Sequence, residues 1–279
     1  MPGSGLRRVM PRHPGVFLFL LLLLGLWMVP IAYMLGVAFR PSAQAFDPTI
    51  FEWPPTLQNF ALVLHDNHLL VNFANSVVVT GGTVVIVVAA ASMFAYGLTA
   101  LRLRWLNPVY AILLTTMMVP ITTMVLPFAI MLKQLGWIND YRGLILPYAA
   151  LGIPFAIVIL KAFMEDSPRD LFEAAMIDGC TPWQMYLRVA LPMVRPAVAF
   201  VAIWQIIVSW NEFFLALIVM TDPARKTLTL VPMKYSGLYM ANPGALFAVL
   251  VLIALPLIVV YVVVQRHFVA GLLAGAVKG

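Results

Sequence analysis

The segment Ser167-Pro-Arg-Asp-Leu-Phe-Glu-Ala-Ala-Met-Ile-Asp-Gly-Cys-Thr-Pro-Trp-Gln-Met-Tyr-Leu-Arg-Val-Ala-Leu-Pro192 concentrates charge, small residues and helix punctuation in an otherwise apolar chain. Ser167 is a favourable N-cap, and Pro168 suits the first helical position. Asp170 then lies near the positive end of the helix dipole. Arg169 and Glu173 stand four apart, in the weaker orientation for a helical ion pair. Leu171, Phe172, Ala175 and Met176 share one face, and Gly179 fits a left-handed C-terminal cap. A second helix follows at once. Thr181 caps it, Pro182 takes its first turn and Gln184 completes a capping box. Trp183, Tyr186, Leu187, Ala190 and Leu191 form its apolar stripe, and Pro192 is expected to end it. The segment reads as two short amphipathic helices hinged at one glycine. Their apolar faces must be buried on the membrane interface, on the chain's own helices or on another protein.

On both sides of this segment the sequence is suited to a bilayer. A transmembrane helix needs about 20 mainly apolar residues. Six stretches qualify: Val16–Phe39, Asn75–Thr99, Val109–Lys133, Gly143–Phe163, Ala197–Met220 and Ala245–Gln265. Of the 279 residues, 63% are hydrophobic and only 10% are charged. A soluble domain carries roughly 25% charged residues and must cover a large surface with polar groups. The composition therefore excludes a soluble enzyme, a disordered chain and a disulfide scaffold, and the single Cys180 excludes an internal disulfide. The expected fold class is an all-α membrane protein of six transmembrane helices with a cytoplasmic loop over 164–196.

The first apolar run follows Arg7, Arg8 and Arg12, as a signal peptide would, and Ala43-Gln44-Ala45 resembles a cleavage site. The run is longer than the 7–15 residue core of cleaved signals, so it is read as a retained helix. A cytoplasmic N-terminus puts eleven of the 17 Lys and Arg residues inside and six outside, so both termini are expected to be cytoplasmic. This asymmetry accounts for the net charge of +6 without nucleic acid. Three divisions are expected: an N-terminal part over 1–70, a membrane core over 71–268 and a cytoplasmic tail over 269–279. Pro120 and Pro127, Pro147 and Pro154, and Pro256 lie inside the third, fourth and sixth spans and are expected either to kink them or to be simply tolerated.

Glu212 is the one acid placed inside a span, about 26 Å up the helix from Arg195. Such a group is a functional candidate. Three readings stay open: an interhelix bond, a pathway wall, or an interfacial carboxylate. Gln205, Ser209 and Trp210 share its span, and Trp210 equally suits the interfacial aromatic belt. Thr115, Thr116, Thr122 and Thr123 are expected to bond locally to backbone carbonyls. His65 and His68 make only a weak pair, and no metal site is expected. No phosphate-binding Gly-x-x-x-x-Gly-Lys-[Ser/Thr] loop and no nucleophile–base constellation is present, so the chain is not expected to be an enzyme.

Glu173-Ala174-Ala175, then three residues, Gly179, nine residues and Val189-Ala190-Leu191-Pro192 resemble the EAA loop of ATP-binding-cassette importer permeases, with Val189 where the family has Ile. Asn75-Ser76, Ser209-Trp210-Asn211-Glu212-Phe213 and the C-terminal Phe268–Gly279 are similar to the sugar-transport branch, of maltose type. The resemblance covers residues 70–279 well. It implies a type I importer permease in a bacterial or archaeal inner membrane. It implies as partners two ATPase subunits, a second permease subunit, an extracytoplasmic solute-binding protein, a sugar substrate and membrane lipid. The ATP and Mg would be held on the ATPases, with no cofactor on this chain. Glu173, Ala174, Ala175, Asp178, Gly179, Leu191 and Pro192 are the residues it implies for ATPase docking. Gln205, Ser209, Trp210, Asn211 and Glu212 are its pathway candidates. Lys234, Tyr235 and Tyr239 are its candidates for reaching the binding protein. The alternatives are a permease of the same mechanism for an amino acid, phosphate or polyamine, and an autonomous secondary transporter. The absence of buried acid–base pairs counts against the last.

Overall fold

The computed structural model describes residues 14–41, 54–66, 68–237 and 242–276, and the side chains of all of these but Pro14 and 264–276. The regular structure among the described residues is helical. In chain order the α-helices are α1 (Pro14–Ala38), α2 (Gln58–Leu64), α3 (Leu69–Thr99), α4 (Leu106–Thr116), α5 (Ile121–Gln134), α6 (Arg142–Glu165), α7 (Asp170–Ile177), α8 (Pro182–Met185), α9 (Leu191–Met193), α10 (Arg195–Asn211), α11 (Phe214–Val219) and α12 (Pro243–Ala276). A π-helical turn, Tyr186–Ala190, joins α8 to α9, and a 3-10 helix spans Leu228–Tyr235.

Among the described residues four helices are long and apolar enough to cross a membrane: Gly15–Ala38, Leu69–Thr99, Arg142–Glu165 and Pro243–Val263. Two bent pairs bring the number to six if each is one span. Leu106–Thr116 and Ile121–Gln134 meet at 106°, and Pro182–Met193 and Arg195–Asn211 at 77°. The third expected span is thus broken in its middle. Thr115 and Thr116 donate their hydroxyls to Ile112 O and Leu113 O at 2.7 Å. The backbone then tightens into short turns through Val119. Pro120, with ψ 132°, starts α5 from an extended conformation. A residue before proline is pushed out of the helical region, so the stop is local chemistry. Pro127, Pro147, Pro154, Pro256 and Pro30 stay inside their helices. The fifth expected span is interrupted as well, at Glu212, where α10 ends and α11 begins two residues later.

The chain divides into two compact units. In the larger, Leu64–Lys234 with Ile253–Gly279, α3 runs along α6 and α10. Ala91, Ala95, Ala149, Ala156 and Ala197 lie in the shared core with Val87, Ile157, Leu160 and Val201. Small residues let helix backbones approach closely where lipid supplies no hydrophobic drive. Three hydroxyls inside the bundle are returned to the helix that carries them: Thr83 donates to Val79 O, Ser92 to Val88 O and Thr99 to Ala95 O. A second cluster, of Val79, Leu132, Leu144, Leu215, Val219 and Leu230, lies toward the other end of α3. In the smaller unit, Met1–Val63 with Tyr235–Leu252, Asn59 Nδ2 donates to Ala38 O and Arg40 O. Tyr33 meets Phe247 edge-on at 5.8 Å.

Candidate functional site

The quoted loop folds as two short helices with a turn at Gly179, where φ is 77°. The capping box is formed: Gln184 N–H donates to Thr181 Oγ1 and Thr181 N–H to Gln184 Oε1. One expectation is corrected. Ser167 does not cap α7; its hydroxyl donates to Phe163 O at 2.9 Å and closes α6, whose last carbonyls lack helical partners. Helix α7 instead begins at Asp170, with Arg169 at its N-cap. Pro192 lies one residue before the end of the second helix at Met193, where the chain bends by 77° into α10.

The loop is divided by face. Phe172, Ala175, Met185, Tyr186, Ala190 and Val194 enter the main core. Tyr186 is riveted to α3, its hydroxyl 2.7 Å from Ser92 Oγ and its ring 5.4 Å from Tyr96. Tyr96 in turn donates to Pro182 O. The opposite face is open. Glu173, Ala174, Asp178 and Gly179 are exposed, with Leu191 and Pro192 half-buried. Ile177 is 86% exposed, and Leu171, Met176, Trp183 and Leu187 are exposed beside it in sequence. An apolar crest of this kind among charges marks an interaction surface. Ile177 was not singled out from the sequence; its place immediately before the Asp-Gly cap, off the buried stripe, was the available signal.

A cavity of about 310 Å³ lies between the two helix breaks. Thr116, Met117, Val119 and Ile121 of the α4–α5 break line one side, and Ser209 and Glu212 of the α10–α11 break the other. Tyr148, Gly152 and Phe155 come from α6, and Trp204 and Gln205 from α10. Irregular backbone at membrane depth is tolerated where protein buries it or where it lines a cavity. Glu212 is held by both its helix and a neighbour. Tyr148 Oη donates to Glu212 Oε2, Leu215 N–H donates to Oε1 at 2.9 Å, and Ala216 N–H donates to Oε2 at 3.2 Å. Its carboxylate thus caps α11 where the helix dipole is positive. Thr229 donates to its backbone carbonyl.

Gln205 Nε2 donates to Ser209 Oγ at 2.8 Å, and both are buried. Gln205 lies so close to Gly152 that a β-carbon there would collide with its amide. Phe155 and Trp204 pair with centroids 5.1 Å apart. Of the other pathway candidates, Trp210 is buried, donates its indole N–H to Ile253 O and packs on Phe73. Asn211 is exposed and donates to Ile207 O. Neither lines the cavity. Tyr148, Gly152 and Phe155 went unnamed in the sequence, although their spacing puts them on one helical face.

At the end of α3 remote from α7, Asn72 and Asn75 hold the turn after α11. Their amides donate to the carbonyls of Pro223, Ala224 and Lys226, and Tyr141 Oη donates to Asn75 Oδ1. Lys234 Nζ pairs with Asp66 Oδ2 at 2.7 Å, and Tyr235 is buried. Tyr239 lies outside the described residues. Thr115, Thr116 and Thr123 bond to nearby carbonyls as expected.

Residues 82–273 match the family model described as the inner membrane component of binding-protein-dependent transport systems. The chain belongs to this family. The permease is 30% identical to the diacetylchitobiose uptake system permease protein DasC of Streptomyces coelicolor, over 98% of each chain. It is 30% identical to the trehalose/maltose transport system permease protein MalG of Thermococcus litoralis, over 90% of this chain and 91% of that one. It is 32% identical to a putative ABC transporter permease of a Caldicellulosiruptor species, over 90% and 92%. Among solved structures, it shares its fold with a chain of a bacterial ABC transporter involved in the import of the acidic polysaccharide alginate. The TM-score there is 0.79 at 22% identity, over 96% of this chain and all of that chain. The family is the permease component of such importers, with the ATPase on a separate subunit.

Proposed function

We propose that this permease forms half of the translocation pathway of an ATP-driven sugar importer. The single observation that carries the reading is the two-faced loop: one face locked into the core through Tyr186, the other an exposed crest with Glu173 and Ile177. Two ATPase subunits holding ATP and Mg, a second permease and a solute-binding protein complete the assembly. The exposed face of α7, with Glu173, Ala174, Asp178 and Gly179, docks on an ATPase. Ala175 and Leu191 support that face from within the core, with Pro192 beside them. Closure of the ATPases pushes α7, and the contacts of Tyr186 with Ser92 and Tyr96 carry the push to α3.

The sugar passes the cavity between the helix breaks. The Phe155–Trp204 pair offers aromatic faces to the C–H side of a sugar ring, and Gln205, Ser209, Tyr148 and Glu212 offer hydrogen-bonding groups to hydroxyls. Named sugar systems among the relatives support sugar over other solutes, since DasC is named for diacetylchitobiose and MalG for trehalose and maltose. A second alginate importer structure, with a TM-score of 0.66, is of a complex with a pentasaccharide-bound periplasmic protein. It supports a binding protein as partner on the outer face, where Lys234 is the exposed candidate. The charge count supports cytoplasmic termini in an inner membrane. Membership of this family removes the ground for an autonomous transporter.

The test is sugar uptake by the full importer in proteoliposomes carrying Glu173→Lys or Gly179→Pro. Uptake is expected to fall more than a hundredfold while the chain remains inserted. Normal uptake by either variant would refute the docking role of α7.

A further inference from the structure

A polar cavity of about 410 Å³ opens beside α7, between the end of α3 and the end of α6. Its charged lining is Arg102, Arg169, Glu165 and Glu173, with Phe172, Met164 and Met176 among its apolar walls. Glu165 is engaged by Lys161, Nζ to Oε1 2.7 Å. Among the described residues the other three charges make no ion pair. Two uncommitted guanidinium groups therefore face one uncommitted carboxylate, and the cavity carries a surplus of positive charge. A partner offering only a base to Glu173 would meet that surplus as repulsion.

Arg102 stands apart from Arg169 in its backbone. Its φ is 51°, in the left-handed region where glycine sits without strain and an arginine does not. The turn that imposes this φ closes α3: Leu101 N–H donates to Tyr96 O and Leu103 N–H to Gly97 O. Arg102 thus places a long cationic side chain in the left-handed turn that follows the α3 C-cap Ala100, where it lines the cavity beside α7.

We propose that Arg102 is a second ionic anchor for the ATPase subunit, taking a carboxylate on that subunit next to the basic group taken by Glu173. The proposal rests on α7 being the ATPase dock. One ionic contact fixes a distance; two of opposite sign on separate elements fix register and orientation. Arg102 belongs to the end of α3 and Glu173 to α7, so an ATPase holding both spans the joint through which α7 would push on α3.

The experiment uses the assembled importer with Arg102→Gly, Arg102→Glu and Glu173→Lys. Glycine suits the turn, so Arg102→Gly is expected to insert normally and to unfold at an unchanged or higher temperature. The same variant is expected to lose the ATPase at lower salt and to reduce binding-protein-stimulated ATP hydrolysis at least tenfold, with Arg102→Glu worse. If Glu173→Lys is inactive but both Arg102 variants retain ATPase and stimulated hydrolysis within twofold of wild type, the anchor is refuted and the dock stands. If Glu173→Lys is also normal, the dock falls and the anchor with it. A benzophenone maleimide on Arg102→Cys, in a Cys180→Ser background, is expected to crosslink to the ATPase. Crosslinking only to the second permease, or to lipid, would overturn the proposal even if a variant proved too unstable to assay.

Discussion

The two interrupted membrane segments face one cavity and are built in opposite ways. At the α4–α5 break the chain turns by 106° with no side-chain cap, and its residues are apolar and exposed, Met118 being 83% so. At the α10–α11 break an acid does the capping: Glu212 receives two backbone N–H groups and the Tyr148 hydroxyl, and Thr229 binds its carbonyl. The first wall is held by turn geometry and has adaptable thioethers; the second is fixed by hydrogen bonds to a neighbouring helix. For the sugar path proposed above, a rigid polar side suits orientation and a softer apolar side suits passage.

The sharpest way to break this contrast is Glu212→Ala, which strands three donors at once. Losing a cap and leaving buried donors unsatisfied costs about 1–3 kcal/mol. A lower unfolding temperature in detergent and an uptake rate at least thirtyfold lower are expected. A variant as stable as wild type would show that the second break needs no cap. Next comes Gly152→Val, whose side chain would drive Gln205 from its place and from Ser209. Uptake is expected to fall about tenfold, mostly through a raised KM, with the chain still inserted; unchanged kinetics would detach Gln205 from the pathway. Pro120→Ala probes the softer wall. Thr115, Thr116 and Thr123 still hold the local carbonyls, so uptake within threefold of wild type is expected. A loss as deep as that of Glu212→Ala would erase the distinction between the breaks.

The smallest effect is expected at a part-exposed acid just before α6, the helix that carries Tyr148. The Asp140 carboxyl is held at about 2, chiefly by its hydrogen bonds to the Arg142 side chain and backbone, against an ordinary 3.8. A lowered carboxyl value stabilises the fold above the ordinary one and loses that contribution as pH falls from about 3.8 toward 2. The pair is solvent-screened, so Asp140→Asn at pH 7 is expected to leave the unfolding temperature within a degree or so. A drop comparable to that of Glu212→Ala would show that this corner contributes to stability.

What could be read from the sequence was what neighbours decide. Gly179 and the Thr181–Gln184 box are short-range chemistry, and both formed where expected. Ser167 was misread because its hydroxyl had two backbone customers within four residues, and the carbonyl of Phe163 won. The break at Met117–Pro120 was hidden by hydropathy, which is blind to direction: an apolar run scores alike whether straight or bent. The meaning of Glu212 depended on Tyr148, 64 residues away and reached only through the packing of α6 on α10. Among the pathway candidates, Gln205, Ser209 and Glu212 reach the cavity while Trp210 and Asn211 turn elsewhere, because successive helix positions differ by about 100°.

That angle gives the π turn at Tyr186–Ala190 a meaning of its own. A π turn accommodates one residue more than the α-helical turn it replaces. Deleting one residue there would let an ordinary α-helical turn close with the downstream phase kept, whereas closing the turn with all its residues retained would rotate the helix that follows by about 100°. The turn acts as a phase setting just after the segment proposed to dock the ATPase, and a one-residue deletion there is expected to leave an intact, inserted protein with its phase kept.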